Sequence, residues 1–427
     1  MGGEWQTVEV GEIADIYDGP HATPNFVDDG PVFLGIDALN DGRLDLSETR
    51  HVTAETYHQW TRRVVPIPGD LVFSYETRIG QAALIPDGLH CCLGRRLALA
   101  RAKSDRLNNR YLLYYYLGPA FQEHLRAHTK PGSTVDRIHL KEFPKFPIVL
   151  PPRPEQDAIA NLLGSLDDKI ELNRRMAATL EETARALFKS WFVNFDPVRA
   201  KAEGHLSSLP DATAAFFPSY FDDGGMPEGW RSGTLADVAH LNPESRGSDT
   251  SQDKVAYVDL ANTKWGVIEE IQHFTSGDAP SRAQRVLRPG DTILGTVRPG
   301  NGSYSLVAFD GMIGSTGFAV LRPKAPQLRE FVYLAATSGE NIEALAALAD
   351  GGAYPAVRPN VVAETPCCVP SAEVIEAFHQ MCGSLVDGIE AARSESTELC
   401  GLRATLLPRL ISGELRIKDA ENAVEAA

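Results

Sequence analysis

Residue sets that do covalent chemistry are scarce along this chain. Asn194-Phe195-Asp196-Pro197 is a distant echo of the Asn-Pro-Pro-aromatic tetrapeptide with which adenine methyltransferases grip a flipped base. Its prolines do not fit, and no glycine-rich methyl-donor loop precedes it. Gly300-Asn301-Gly302 is too short for a cofactor loop and reads as a tight turn. The phosphate loop G-x-x-x-x-G-K-[ST], the G-x-S-x-G elbow and the H-E-x-x-H helix are all missing. His240 and His273 stand alone. The six cysteines, Cys91, Cys92, Cys367, Cys368, Cys382 and Cys400, form no C-x-x-C pair, and no His cluster lies at metal-ligand spacing. Adjacent cysteines on a strand point to opposite faces, so the two doublets read as core fillers. The expectation is no catalytic residue, no metal and no disulfide framework.

What remains is charge. The net charge of −16 and pI near 5.2 argue, taken alone, against a nucleic-acid binder. The distribution is uneven: Arg95 to Lys145 holds eleven Lys or Arg against four Asp or Glu, and Arg282 to Glu330 holds seven against three. An acidic chain can carry two basic faces. At 427 residues, two to three domains are expected. No apolar run approaches the ~20 residues of a membrane span, and MGGEWQTVEVGEI has no secretory pattern, so a cytoplasmic location is expected.

The chain repeats once. A Trp opens each half, Trp5 and Trp230. A Pro-Gly-Asp turn then leads into an apolar strand, PGDLVFS from Pro68 and PGDTILG from Pro289. VLPPRPEQDAIA from Val149 corresponds to CVPSAEVIEAFH from Cys368, and GSLDDKIE from Gly164 to GSLVDGIE from Gly383. The offsets run 225, 221, 219 and 219, so length varies at the front of each copy and is fixed at the back.

The fixed parts have helical periodicity. A 3-4 spacing selects Ile159, Leu163, Leu166, Ile170, Asn173, Ala177, Leu180, Ala184, Leu187 and Trp191. Adding 219 gives a weaker seam through Phe378, Cys382, Leu385, Ile389, Ala392, Ser396, Leu399, Arg403 and Leu406, with Pro408 expected to end it. Helices of about 35 residues span roughly 50 Å and suit a spacer; a helical hairpin that only dimerises the chain is the alternative. The variable parts read as mixed α/β globules, the first interrupted by a helical stretch from Arg110. Residues 196–228 read as a connector packing locally through Phe216, Phe217, Tyr220 and Phe221.

At this point the residues resemble the DNA-specificity subunits of Type I restriction–modification systems. LFKSWFVNFDPVRAKAEG from Leu187 is similar to that family's central conserved region, and LPRLISGELRI from Leu407 to its C-terminal end. LPPRPEQDAI from Leu150 and PGDLVFSYETRIGQAALIPDG from Pro68 are similar to further family patterns. The resemblance implies an α+β fold in which two target recognition domains are joined by two long antiparallel coiled-coil helices. The expected divisions are 1–154, a first recognition domain; 155–195, a central long helix; 196–228, the connector; 229–371, a second recognition domain; and 372–427, a C-terminal long helix and tail.

The resemblance also implies a non-catalytic subunit that reads a bipartite site on double-stranded DNA through the major groove. Two methyltransferase subunits would dock on the helices, through Leu163, Leu166, Ile170, Leu180, Leu187, Trp191, Leu385, Ile389, Leu399 and Leu406. They would bring S-adenosylmethionine, and restriction motor-nuclease subunits would bring ATP and Mg; this chain itself would bind no cofactor. Candidate DNA contacts in the first domain are Tyr75, Thr77 and Arg78 after the PGD strand, then Lys130, Ser133, Thr134 and Arg137 from HTKPGSTVDR. In the second they are Thr296, Arg298, Asn301, Tyr304, Tyr354 and Arg358. Arg suits guanine and Asn adenine, while Thr and Tyr serve phosphate or base edges. Two other readings stay open: a coiled-coil scaffold with paired protein- or ligand-binding globules, and a degenerate methyltransferase or nuclease. The missing donor loop and carboxylate cluster speak against the second.

Overall fold

The computed structural model describes residues 5–132, 135–205, 209–247 and 254–420. Contacts divide the chain into two compact units, Met1–Glu171 with Ser396–Ala427, and Leu172–Glu395. The fold is α+β, and the sequence repeat reappears in it element by element.

Each unit opens on a short strand and a single helical turn closed by a capping box, Glu9 with Glu12 in the first and Thr234 with Asp237 in the second. A four-stranded sheet follows. Its order in the first unit is Ala14–Asp18, Leu97–Ala102, Leu71–Ser74, Ala82–Leu84. In the second it is Ala239–Leu241, Phe318–Pro323, Thr292–Gly295, Tyr304–Leu306. Both units add a sheet containing one parallel pairing, Val32–Leu34 on Cys91–Leu93 and Ala256–Val258 on Met312–Gly314. Cys91 and Cys92 are buried on their strand, as the alternation suggests, and burial pushes both thiols up to about 12.

The Pro-Gly-Asp turn has a definite job. Gly69 and Gly290 adopt φ of +85° and +88°, a region that favours glycine. The Asp that follows is buried in both units. Asp70 accepts the Ile67 amide at 2.9 Å, and Arg101 from the neighbouring strand grips it at 2.9 and 2.6 Å. Asp291 accepts the Arg288 amide at 2.8 Å and is gripped by Arg322 at 2.8 and 2.9 Å. Such two-pronged pairs fix geometry as well as charge.

A pair of helices packs on each main sheet, Asn109–Leu117 with Pro119–Ala127 and Arg329–Ala336 with Gly339–Leu348. The first pair was foreshadowed by the helical stretch from Arg110, although it breaks at Gly118-Pro119. The second pair lay hidden in a segment that reads as strands and turns. Asn108 and Ser338 cap one helix of each pair.

The two long helices are Arg153–Phe192 and Ala372–Ile411, 40 residues each, or about 60 Å. Pro408 does not end the second, because the break it makes in the hydrogen-bond ladder falls in the last turn and the chain stays helical for three more residues. Each helix contributes one segment to each unit. In the first unit Asp167 meets Arg403 at 2.6 Å and Glu155 meets Arg416 at 3.2 Å. In the second, Asn173 Nδ2 donates to Glu395 Oε2 at 2.7 Å, and Trp191 packs on Phe378 with ring centroids 5.6 Å apart. Rising numbers thus meet falling ones, so the segments are antiparallel within each unit.

The seam residues are spent on this packing. Leu163, Leu166, Ile170, Trp191, Ile389 and Leu406 are buried inside the chain, and Leu180, Leu187, Leu385 and Leu399 are partly buried against its cores. For the six buried residues the expected role as partner contacts is corrected accordingly, since a side chain closed into its own core is out of a partner's reach; the four partly buried leucines keep some open surface. The connector is corrected too. Phe217 is buried edge-on against Trp191 at 4.8 Å and Phe221 is partly buried, whereas Phe216 and Tyr220 face outward.

Candidate nucleic-acid interface

In both units the loop after the PGD strand meets a second loop from more than fifty residues later. In the first, the Thr77 amide donates to Asp136 O at 3.3 Å and the Ile138 amide to Tyr75 O at 2.8 Å. Glu76 and Lys130 both bridge Arg137. In the second, the Arg298 amide donates to Pro355 O at 2.7 Å and the Val357 amide to Thr296 O at 2.9 Å. Val297 and Asp350 both bridge Ala356. The same joint is therefore built twice, and it places Thr77 opposite Arg298 in the repeat. Both residues have left-handed backbone, φ 66° and 48°.

Three of the named residues are core, a correction with a common cause. Tyr75 is 4% exposed and its hydroxyl donates to Asp18 at 3.0 Å; burial, then Asp18, pushes its pKa well above the usual tyrosine value. Thr296, its repeat partner, is 5% exposed and donates to the Gly317 carbonyl at 2.8 Å. Both lie next to the last strand residue, where the chain has not yet left the sheet. Tyr304 sits on a buried strand and accepts Arg185 Nη2 at 3.2 Å, and burial raises its pKa. None of the three can reach a base.

The others divide by how firmly they are held. Arg78 is latched by its guanidinium to the Ile36 and Asp37 carbonyls at 3.0 and 3.4 Å. Thr77 is exposed and accepts Arg96 Nη1 at 3.2 Å. Lys130 pairs with Glu142 at 2.9 Å, while Arg137 is exposed and has no acidic partner among the described residues. Ser133 and Thr134 lie outside the described residues. Arg298 stands over the Tyr354 ring at 4.7 Å and donates from Nη2 to Ala353 O at 2.6 Å. Tyr354 is 71% exposed, and Asn301 and Arg358 are exposed beside this loop joint.

Much of the basic surplus proves to be internal. Arg101, Arg322, Arg288 and Arg329 all pair with acids of their own chain, as do Arg96, Lys103 and Arg110. Counting charges along the sequence overstated the free positive surface, because structural clamps and contact residues look alike there.

The comparisons with known proteins fit this geometry. Residues 2–182 match the Type I restriction modification DNA specificity domain. The HindI specificity subunit of Haemophilus influenzae is 26% identical over 348 residues, 68% of this chain and 72% of that one. The MjaIX specificity subunit of Methanocaldococcus jannaschii is 21% identical over 97% of this chain and 94% of its own. Along its length the chain is thus similar to Type I specificity subunits. Among solved structures, the S subunit from M. genitalium shares the fold, with a TM-score of 0.57 at 15% identity, covering 95% of this chain and 96% of that one.

Two features of this chain escaped sequence reasoning. The PGD clamp needs Arg101 and Arg322, which sit 31 residues beyond their Asp and carry no local signature. The other is a pair of two-residue hairpin turns, Asp41-Gly42 and Trp265-Gly266, in which Asp41 and Trp265 adopt φ of 44° and 48°. A residue followed by Gly between short strands is a hairpin signal. The recurrence 224 positions on could have been found beside the 225 offset of the opening tryptophans.

Proposed function

We propose that this chain is a specificity subunit that reads a split site on double-stranded DNA, one half through each unit, and directs adenine methylation and restriction by partner subunits. The observation that carries this reading is the loop joint. One backbone arrangement is built twice, and its exposed side chains differ: Thr77 and Arg137 in the first unit, Arg298 and Tyr354 in the second. A repeated scaffold with exchanged tips is what reading two different half-sites requires, since each base pair presents its own donor and acceptor pattern in the major groove.

In this reading the chain is not an enzyme and binds no cofactor itself. Two modification subunits bring S-adenosylmethionine and extrude the adenine, and motor-nuclease subunits bring ATP and Mg. The long helices set the number of unread base pairs between the halves. The reading places the chain in the cytoplasm with the DNA, and no helix among the described residues is long and apolar enough to cross a membrane.

The test is to co-express the chain with its modification subunit in a methylation-free host and map N6-methyladenine. One split motif with a constant gap is expected. An assembled complex that leaves no motif would sink the reading and bring forward a scaffold that binds protein.

A further inference from the structure

We propose that Trp265 is a DNA-contacting residue of the second unit, making an apolar contact within that unit's half-site, where the first unit has no equivalent. The proposal rests on the DNA-reading function above.

Trp265 is 57% exposed, on a left-handed backbone that bulky residues rarely adopt. An outlier of this kind persists only where its surroundings hold it, and here they do. The Trp265 amide donates to Gly302 O at 2.7 Å, and the indole lies so close over Gly302 that a Cβ there would stand 2.6 Å from the ring. Beneath it, Gly266 O accepts Arg393 Nη1 and Ser305 Oγ, each at 2.9 Å, and the Tyr304 ring meets the indole edge-on at 6.0 Å. The tip is thus braced from α-helix and sheet alike.

The first unit fills the same place differently. Asp41 occupies the turn, and Gln81, at the repeat position of Ser303, reaches it. Gln81 accepts the Asp41 amide and donates to its carboxylate, both at 2.8 Å. A self-satisfied polar latch has become an exposed indole seated on a glycine. Packing does not explain the exchange, because the indole faces solvent.

Gly302 closes the turn Pro299–Asn301 directly after Arg298, so the indole is seated on the loop that carries the guanidinium proposed to face DNA. Exposed Lys264 adjoins it, and exposed Glu269 and Glu270 lie further along the chain. A flat apolar group beside an arginine suits a groove, where thymine methyl groups and sugars supply apolar surface next to acceptors.

The test uses the full chain co-expressed with its modification subunits, as wild type, Trp265→Asn and Trp265→Gly. Both replacements accept positive φ more readily than Trp, so assembly and thermal midpoint should hold or rise. Affinity for the cognate duplex at fixed salt should fall on the order of tenfold, and sequence preference should relax in one half of the methylation motif only. Unchanged affinity and motif in both variants would overturn the proposal while leaving the DNA-reading function intact. So would loss of folding in both, which assigns the indole to packing. Loss of subunit assembly with DNA affinity preserved would also overturn it, by assigning the indole to a protein face. A wild-type complex without any motif defeats the underlying function instead.

Discussion

The two units share a frame and differ at their tips. Both bury an Asp after the same Gly turn and clamp it with an Arg one strand away. Both join the loop after that strand to a second loop through the same amide-to-carbonyl bonds. At the exposed positions the chemistry is exchanged. The first unit has Thr77 where the second has Arg298, and Arg137 where the second has Ala356; the second adds Tyr354 and Trp265. At these two positions the arginine sits on opposite loops of the joint in the two units, on a common backbone. The fold is held by groups that cannot be exchanged and presents groups that can.

If the frame is common, breaking it should cost the same in either unit. Asp291→Ala removes the two-pronged carboxylate from Arg322, which keeps only Glu244, and leaves the Arg288 amide without its acceptor. Breaking a buried pair this way costs on the order of 2–4 kcal/mol, partial exposure of the Arg moderating the loss. Asp70→Ala should cost the same within about 1 kcal/mol. Denaturant unfolding of each variant checks this, and a several-fold disparity would mean that the clamps are not equivalent.

A somewhat smaller effect separates the units at the start of the long helices. Gln156 is fully buried; its Nε2 donates to the Arg106 and Pro151 carbonyls at 2.9 and 2.8 Å, and its Oε1 accepts the Asn108 amide at 2.9 Å. The repeat places Ile375 there in the second unit, buried among apolar neighbours. Gln156→Ile should therefore destabilise by about 2–3 kcal/mol, since one buried and two partly buried backbone groups lose partners, although the same residue is native 219 positions on. A neutral result in thermal unfolding would show that water or main-chain movement satisfies those groups.

The long helices, their seams and the twofold repeat were legible because hydrophobic period and repeat offset are local properties of the sequence. The candidate interface was legible only as two loops per unit. Which side chains face outward was not, because exposure depends on where the chain leaves the sheet. Tyr75 and Thr296 illustrate this, one residue too early to emerge. Arg101 and Arg137 are indistinguishable by type, yet one is clamped to Asp70 and the other is exposed. Pairing across 31 residues decides that, and no short motif encodes it.

The exchanged tips give the third prediction. Arg298→Ala should weaken binding of the cognate duplex by roughly 1–3 kcal/mol and relax one position of one half-site. Thr77→Ala, at the same place in the first unit, should lose well under that, since a threonine gives no two-pronged contact to guanine. Methylation mapping of both variants resolves the two effects. Equal losses would mean that position in the frame, rather than side-chain identity, sets the contact.

The smallest effect probes a half-buried charge of the second unit. Glu390 lies on the second long helix beside Arg393, and burial raises its pKa above the usual glutamate value despite that arginine. The repeat places Glu171 at this position in the first unit, where it pairs with Arg43 at 3.2 Å and is 39% exposed at its side chain. A carboxyl whose folded pKa is raised binds its proton more tightly folded than unfolded. Its stabilising contribution is complete below the unfolded value of 4.5 and is lost as pH rises through the higher folded value. At neutral pH the ionised group is thus a net cost. Glu390→Gln keeps the shape without that cost, so unfolding at pH 7 should shift to slightly higher denaturant while unfolding near pH 4 stays where it was. Glu171→Gln, which removes a partner from Arg43, should give no such gain. A loss of stability at pH 7 for Glu390→Gln, absent near pH 4, would mean that the Arg393 pairing outweighs the desolvation, and that the second unit tolerates its half-buried carboxylate as readily as the first tolerates its more exposed one.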